Sequence, residues 1–144
     1  MRSLELTQDA RAARNAASID QADTGPGVST IKLYTALGGT LLAVRKLAKP
    51  CGVVRAADGR IQLIADTDTD LVAATGIAAW GQWEAADGST VLAAGPVTDE
   101  DGNISDGVGG LSPTGDVGPW VLQGTAGTLL YEGGLVLLSA GLIG

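Results

Sequence analysis

The stretch GVVRAADGRIQLIA, Gly52–Ala65, reads as a β-hairpin. Two runs of Val, Leu and Ile flank Asp58-Gly59, a dipeptide that admits the left-handed backbone a tight strand-to-strand turn requires. The same punctuation recurs on both sides. Ser29–Thr35 (STIKLYT) alternates, with Ile31 and Leu33 on one side and Lys32 and Tyr34 on the other. Gly38-Gly39 is a turn, Thr40–Val44 a second strand, and Pro50 is expected to break the chain before Gly52. Leu71–Ala74 and Ile77–Ala85 follow, and Asp87-Gly88 closes a further hairpin onto Thr90–Ala94. Trp120–Gln123, Thr128–Tyr131 and Leu135–Leu142 complete the set. Roughly eight to ten short strands at this spacing predict an all-β fold, first a β-sandwich of jelly-roll type, with a small barrel or an open sheet completed by a neighbour as the alternatives.

Residues 1–23 differ from the rest. TQDARAARNAASID (Thr7–Asp20) is rich in Ala and free of Gly and Pro, with Thr7 placed to cap a helix and Asp9 in its first turn. Its apolar positions are mostly Ala, so a helix here has little of its own to bury. The expectation is an N-terminal helix or arm over residues 1–23, a hinge at Thr24-Gly25-Pro26-Gly27, and a β-domain over residues 24–144.

A chain of 144 residues is one domain by size. A single Cys51 excludes an internal disulfide framework and is expected to be a buried, inert thiol. With no Phe and no His, the aromatic bulk is limited to Trp80, Trp83, Trp120, Tyr34 and Tyr131. A hydrophobic share of 45% leaves apolar surface for other subunits to cover. Charge is segregated along the chain. All nine cations lie in the first 60 residues beside five acids, a net +4; the remaining 84 residues hold eleven acids and no cation, a net −11. Oppositely charged parts favour docking to a defined neighbour. The overall −7 speaks against nucleic-acid binding. No secretory signal is read at the N-terminus, and the apolar run from Leu135 to Ile143 is too short to span a bilayer, so no membrane role is expected.

Little in the sequence carries chemistry. Asp66, Asp68 and Asp70 alternate like the start of a calcium loop, but Leu71 and Ile77 stand where the turn Gly and the bidentate Glu belong. Asp99, Glu100, Asp101, Asn103 and Asp106 offer oxygen ligands for a hard cation, or an ordinary turn. The bland reading is preferred for both, and no cofactor is expected. Without His, a G-x-S-x-G elbow or a Cys–His pair, no catalytic residues are assigned and no enzyme is expected. Gly107–Gly110 (GVGG) lacks the Lys of a phosphate loop and reads as a flexible loop. Trp80 and Trp83, three apart on a strand, face opposite sides: one is core, the other an interface anchor or half-buried under a loop. Trp83 is taken as the interface residue. Arg45, Lys46 and Lys49 form a basic group at a strand end, read as a patch for an acidic neighbour.

Three segments together resemble small head-associated virion proteins of tailed bacteriophages: TGPGVSTIKLYT (Thr24–Thr35), GIAAWGQWEAADGSTVLAAGPV (Gly76–Val97) and YEGGLVLLSAGLIG (Tyr131–Gly144). The resemblance implies a capsid cement or decoration protein, made in the host cytoplasm and placed on the capsid surface, with the major capsid protein as partner. It implies a dimer or trimer with a sandwich or jelly-roll body and an extended arm, on which Arg2, Arg11 and Arg14 would reach across a capsomer seam. The Gly- and Asp-rich insert between Thr98 and Gly118 departs from the pattern and is expected to be a surface loop pointing away from the shell. A head–tail connector or tail structural protein shares the composition. A carbohydrate-binding or adhesin module, stacking a sugar on an exposed tryptophan, is the alternative of another class.

Overall fold

The computed structural model describes Leu4 and residues 7–66, 70–138 and 142–143. Helix α1 (Gln8–Ala22) begins where the sequence places it: the Thr7 side chain accepts the Ala10 N–H at 3.2 Å, and Asp9 lies in the first turn. Strands β1 (Thr30–Tyr34), β2 (Leu41–Val54), β3 (Ile61–Ala65), β5 (Trp80–Glu84), β6 (Val91–Asp99), β9 (Trp120–Leu122) and β11 (Leu142–Ile143) form one curled sheet in the order β11-β3-β2-β1-β5-β6-β9. Its pairings are antiparallel except β6 with β9. Two smaller pairs accompany it: β4 (Gly76–Ile77) with β10 (Leu129–Leu130), and β7 (Asn103–Ser105) with β8 (Leu111–Pro113). Among the described residues the fold is thus mainly β with one short helix.

β2 explains the curl. Leu41–Lys46 pairs with β1 and Gly52–Val54 with β3, and the register breaks between Leu47 and Gly52. Pro50, expected to end a strand, lies inside this one, where it has no N–H to give the ladder. The C-terminal segment meets both sides of the curl. Leu138 bridges to Leu122 on β9, while Leu142 and Ile143 pair with Gln62 and Ile61 on β3. The segment thus pairs with β9 and with β3, whose edges would otherwise end the sheet.

The two Asp-Gly hairpins form, with longer turns than two residues. Gly59 and Gly88 both take positive φ, and the last pairs are Val54 with Ile61 and Glu84 with Val91. The first turn is where α1 docks. Gln8 Nε2, Arg11 Nη1 and Asn15 Nδ2 lie on one stripe of the helix and donate to the carbonyls of Ala56 (2.7 Å), Asp58 (3.0 Å) and Gly59 (2.7 Å). Gly59 has φ +71°, and a Cβ there would stand 3.0 Å from the Gln8 carbonyl oxygen.

The division into arm and β-domain is therefore corrected. Ile19 and Ala22 belong to the same buried cluster as Leu47, Cys51 and Ile61. The helix hides few side chains, as its Ala content requires, but hydrogen bonds fix it to the sheet. The hinge is held too: Lys49 Nζ donates to the carbonyls of Gly25 (3.1 Å) and Gly27 (3.2 Å), and Asp23 accepts the Cys51 N–H. The insert after Thr98 lies largely at the surface, as expected, but is not a plain loop. It forms the β7–β8 hairpin and folds back on the β9–β10 loop, with Ser105 Oγ accepting the N–H groups of Thr128 and Leu129, each at 2.9 Å.

Candidate partner interface

The register of four neighbouring strands places side chains in rows on the outer face of the sheet. Leu41, Tyr34, Trp80 and Pro96 are successive partners on β2, β1, β5 and β6. The next row is Val44, Lys32, Gln82 and Ala94, and the third Lys46, Thr30, Glu84 and Val91. The first row is a continuous apolar band: Leu41 is 37% exposed, Pro96 is exposed, and Tyr34 and Trp80 between them are half-buried. Aromatic pairs directly across two strands reinforce each other and the sheet beneath them.

Polar groups on this face are paired with one another. Lys32 Nζ donates to Glu84 Oε1 at 3.1 Å, Tyr34 OH to Glu84 Oε2 at 3.4 Å, and Trp80 Nε1 to Gln82 Oε1 at 3.2 Å. Burial, then the charge of Glu84, raises the Tyr34 pKa, with Lys32 opposing. Tyr34 stays a neutral donor. A partner meeting the first row finds apolar surface whose neighbouring polar groups are already hydrogen-bonded, while Lys46 in the third row is exposed.

Trp83 is corrected. Its indole is 1% exposed, donates to Ser29 Oγ at 2.8 Å, and lies on the inner face beside Ile31. The reading of opposed tryptophans holds, but Trp80 is the outward one. Trp120 is also inside and donates to the Gly81 carbonyl at 2.9 Å; a Cβ on Gly81 would stand 2.5 Å from its Cδ1. Gly81 lies between Trp80 and Trp83 because a third tryptophan rests on it. Trp80 was missed as the outward residue because parity separates the pair without saying which side is core; the register with Tyr34 decides it.

The basic residues do not gather into one patch. Arg45 is buried on the inner face opposite Ile31 and pairs with Asp70 at 3.2 Å, so it is corrected from a docking residue to an internal ion pair. Asp70 also accepts the Lys46 N–H at 2.8 Å, while the Lys46 side chain is exposed. Lys49 and Arg11 are spent on backbone carbonyls, as above. Arg14 is exposed on α1, and Arg2 lies outside the described residues.

The Asp99–Asp106 carboxylates hold turns. Asp99 is 1% exposed; Oδ1 accepts the N–H groups of Asp101 (2.9 Å) and Asn103 (2.8 Å), and Oδ2 that of Gly127 (2.7 Å). Burial alone would raise its pKa, but the N–H donors of Gly127, Asn103 and Asp101 outweigh it and hold the carboxyl below the ordinary value. Asp106 Oδ1 accepts the N–H groups of Val108 (2.8 Å) and Gly110 (2.9 Å). Of the Asp66–Asp70 run, Asp68 lies outside the described residues, Asp66 is exposed and Asp70 serves Arg45. Among the described residues, no three of His, Cys, Asp and Glu converge on a metal position. Cys51 is buried, and burial together with the charge of Asp23 pushes its thiol up to about 12, far from a reactive thiolate.

Among the described residues no helix is long and apolar enough to cross a membrane. No protein-family model matches this chain, and no curated protein or solved structure matches it.

Proposed function

We infer that this chain is an adhesive structural protein whose outer sheet face binds a larger assembly. The specific assignment is a bacteriophage capsid cement protein, located on the capsid surface as a dimer or trimer and bound to the major capsid protein. The finer fold reading belongs with it: the curled sheet is taken as a jelly-roll-like sandwich whose two halves enclose the core. The observation that carries the adhesive reading is the Leu41–Tyr34–Trp80–Pro96 row, an apolar band with aromatic centre and internally paired polar neighbours. Buried rigid aromatics are the usual anchors of protein interfaces. A protein that binds only the assembled form stabilises that form by mass action, and the effect multiplies over repeated seams. No catalysis is required for this task.

The test is addition of the purified protein to bare phage capsids. Uptake in many copies per particle with a raised capsid melting temperature is the expected result. Uptake limited to one ring at the portal would assign the head–tail connector instead, and absence of uptake would remove the capsid assignment.

A further inference from the structure

A second surface, built from the loops, shares no residue with the sheet face. The β7–β8 hairpin is fixed against residues 125–131 by three hydrogen bonds at Ser105, and Asp99 at the end of β6 adds a fourth. Ser105 Oγ receives two N–H groups, Thr128 Oγ1 receives the Ser105 N–H at 3.2 Å, and buried Asp99 holds the Gly127 N–H. Between the Gly107–Gly110 tip and this segment lies a cleft of about 330 Å³, walled by Ile77, Leu111, Leu129 and Tyr131, with Ser105 and Thr125 among its polar lining. Tyr131 is 65% exposed. A second hollow of about 190 Å³, lined in part by Leu122, Leu135 and Leu137, also includes Tyr131, Thr125 and Leu129. The tyrosine ring therefore stands between two adjoining hollows whose larger member is of small-molecule size.

The lining defines the ligand chemistry. Tyr131 and Leu111, the latter 46% exposed, offer an apolar wall. The N–H groups of Gly107 and Gly109 meet no acceptor among the described residues, because the Asp106 carboxylate takes those of Val108 and Gly110. The Thr125 hydroxyl has only a 3.5 Å contact to the next carbonyl. These are free partners for hydroxyl groups. Charge narrows the choice. Ile61–Gly144 contains no cation, Asp106 sits at the tip with its pKa lowered by the N–H groups of Val108 and Gly110, and Glu132 is exposed beside Tyr131. Phosphates, nucleotides and acidic sugars would meet repulsion with no compensating charge. A ligand with an apolar C–H face, a rim of hydroxyls and no charge satisfies the wall, the donors and the field together.

We propose that the cleft around Tyr131 binds a neutral saccharide, one ring stacked on the tyrosine and its hydroxyls held by the Gly107–Gly110 tip and Thr125. The site is independent of the sheet face, so either reading can fail without the other. The experiment is titration of the full chain with maltose, N-acetylglucosamine, methyl mannoside and methyl galactoside, followed by amide NMR, with glucuronic acid and glucose 6-phosphate as charged controls. Saturable shifts confined to residues 105–111 and 125–131, with affinity near 1 mM for at least one neutral sugar and none for the controls, are expected. Tyr131→Ala should weaken binding at least about tenfold, and Tyr131→Phe should retain it, with neither variant changing the melting temperature, since the ring is largely in solvent. The proposal is overturned if no neutral sugar shifts these amides, if the charged sugars bind equally well, or if Tyr131→Ala binds like the parent.

Discussion

At the scale of single residues, Asp99 links the insert to the body. Its carboxylate gathers N–H groups from its own turn and from Gly127, which lies 28 positions along the chain. Replacing it with Asn keeps the shape but turns an amide donor toward N–H groups that need an acceptor. Asp99→Asn should therefore lose about 2 kcal/mol at neutral pH, read by urea unfolding. The pH dependence follows from the lowered pKa. A carboxyl that titrates lower in the folded state than its unfolded value of about 3.9 contributes fully above that value, and the contribution is lost as pH falls through the folded value. The parent and Asp99→Asn should thus differ at pH 7 and pH 5 and converge toward pH 2. A constant gap across that range would show that the charge of Asp99 is irrelevant. Asp87, held down to about 2 first by the Thr90 hydroxyl and then by the Ser89 and Thr90 N–H groups, adds to the same acid limb in both proteins.

At the scale of elements, α1 is the part whose role the structure changes. Its sequence announces a helix through Thr7, Asp9 and the Ala run. Its docking was not legible, because the contacting stripe of Gln8, Arg11 and Asn15 is polar and apolar periodicity does not detect it. Deleting residues 1–23 should remove Ile19 and Ala22 from the core and leave the β2–β3 turn carbonyls without their donors, so the shortened chain should lose its cooperative thermal transition. A truncated chain that melts like the parent would restore the helix to the status of an arm. Asn15→Ala is the gentler test: it strips the buried Gly59 carbonyl of its donor and should cost about 1–3 kcal/mol. Other elements divide in the same way. Alternation in STIKLYT and the two Asp-Gly turns showed the strands directly, since pleat and turn chemistry are local. Pro50 inside β2 and the β7–β8 pairing were hidden, because partners distant in sequence decide whether a proline or a Gly-rich run belongs to a ladder. The candidate face was hidden for the same reason: Tyr34 and Trp80 are 46 positions apart, and only register makes them neighbours.

At the scale of the whole molecule, the charge split survives folding in altered form. The helix, β2 and the β2–β3 turn hold the described cations other than Lys32 on one side of β1, and Asp99 at the end of β6 and the insert after it carry acids on the other. Many of the cations are nevertheless engaged internally. Arg45 pairs with Asp70, Lys32 with Glu84, Arg55 with Asp58 at 3.7 Å, and Arg11 and Lys49 donate to carbonyls. Arg14, Lys46 and Arg60 remain as exposed cations for a partner among the described residues, too few to dominate an interface that also presents Leu41, Tyr34, Trp80 and Pro96. Exposed charges are screened beyond a Debye length of about 10 Å at 0.1 M salt and about 3 Å at 1 M, whereas apolar burial is not. Binding to bare capsids should consequently weaken by no more than about threefold between 0.1 M and 1 M salt, because few exposed pairs are worth more than a fraction of a kcal/mol. Trp80→Ala should weaken it by about 30-fold, the loss of roughly 2 kcal/mol typical of a central aromatic anchor. Its effect on stability should be smaller than that of Trp83→Ala, which opens the core and should cost about 3–5 kcal/mol. Measuring capsid uptake and urea midpoints for both variants separates adhesion from folding. If salt abolishes uptake while Trp80→Ala leaves it intact, the exposed cations Arg14, Lys46 and Arg60 carry the adhesion and the aromatic row does not.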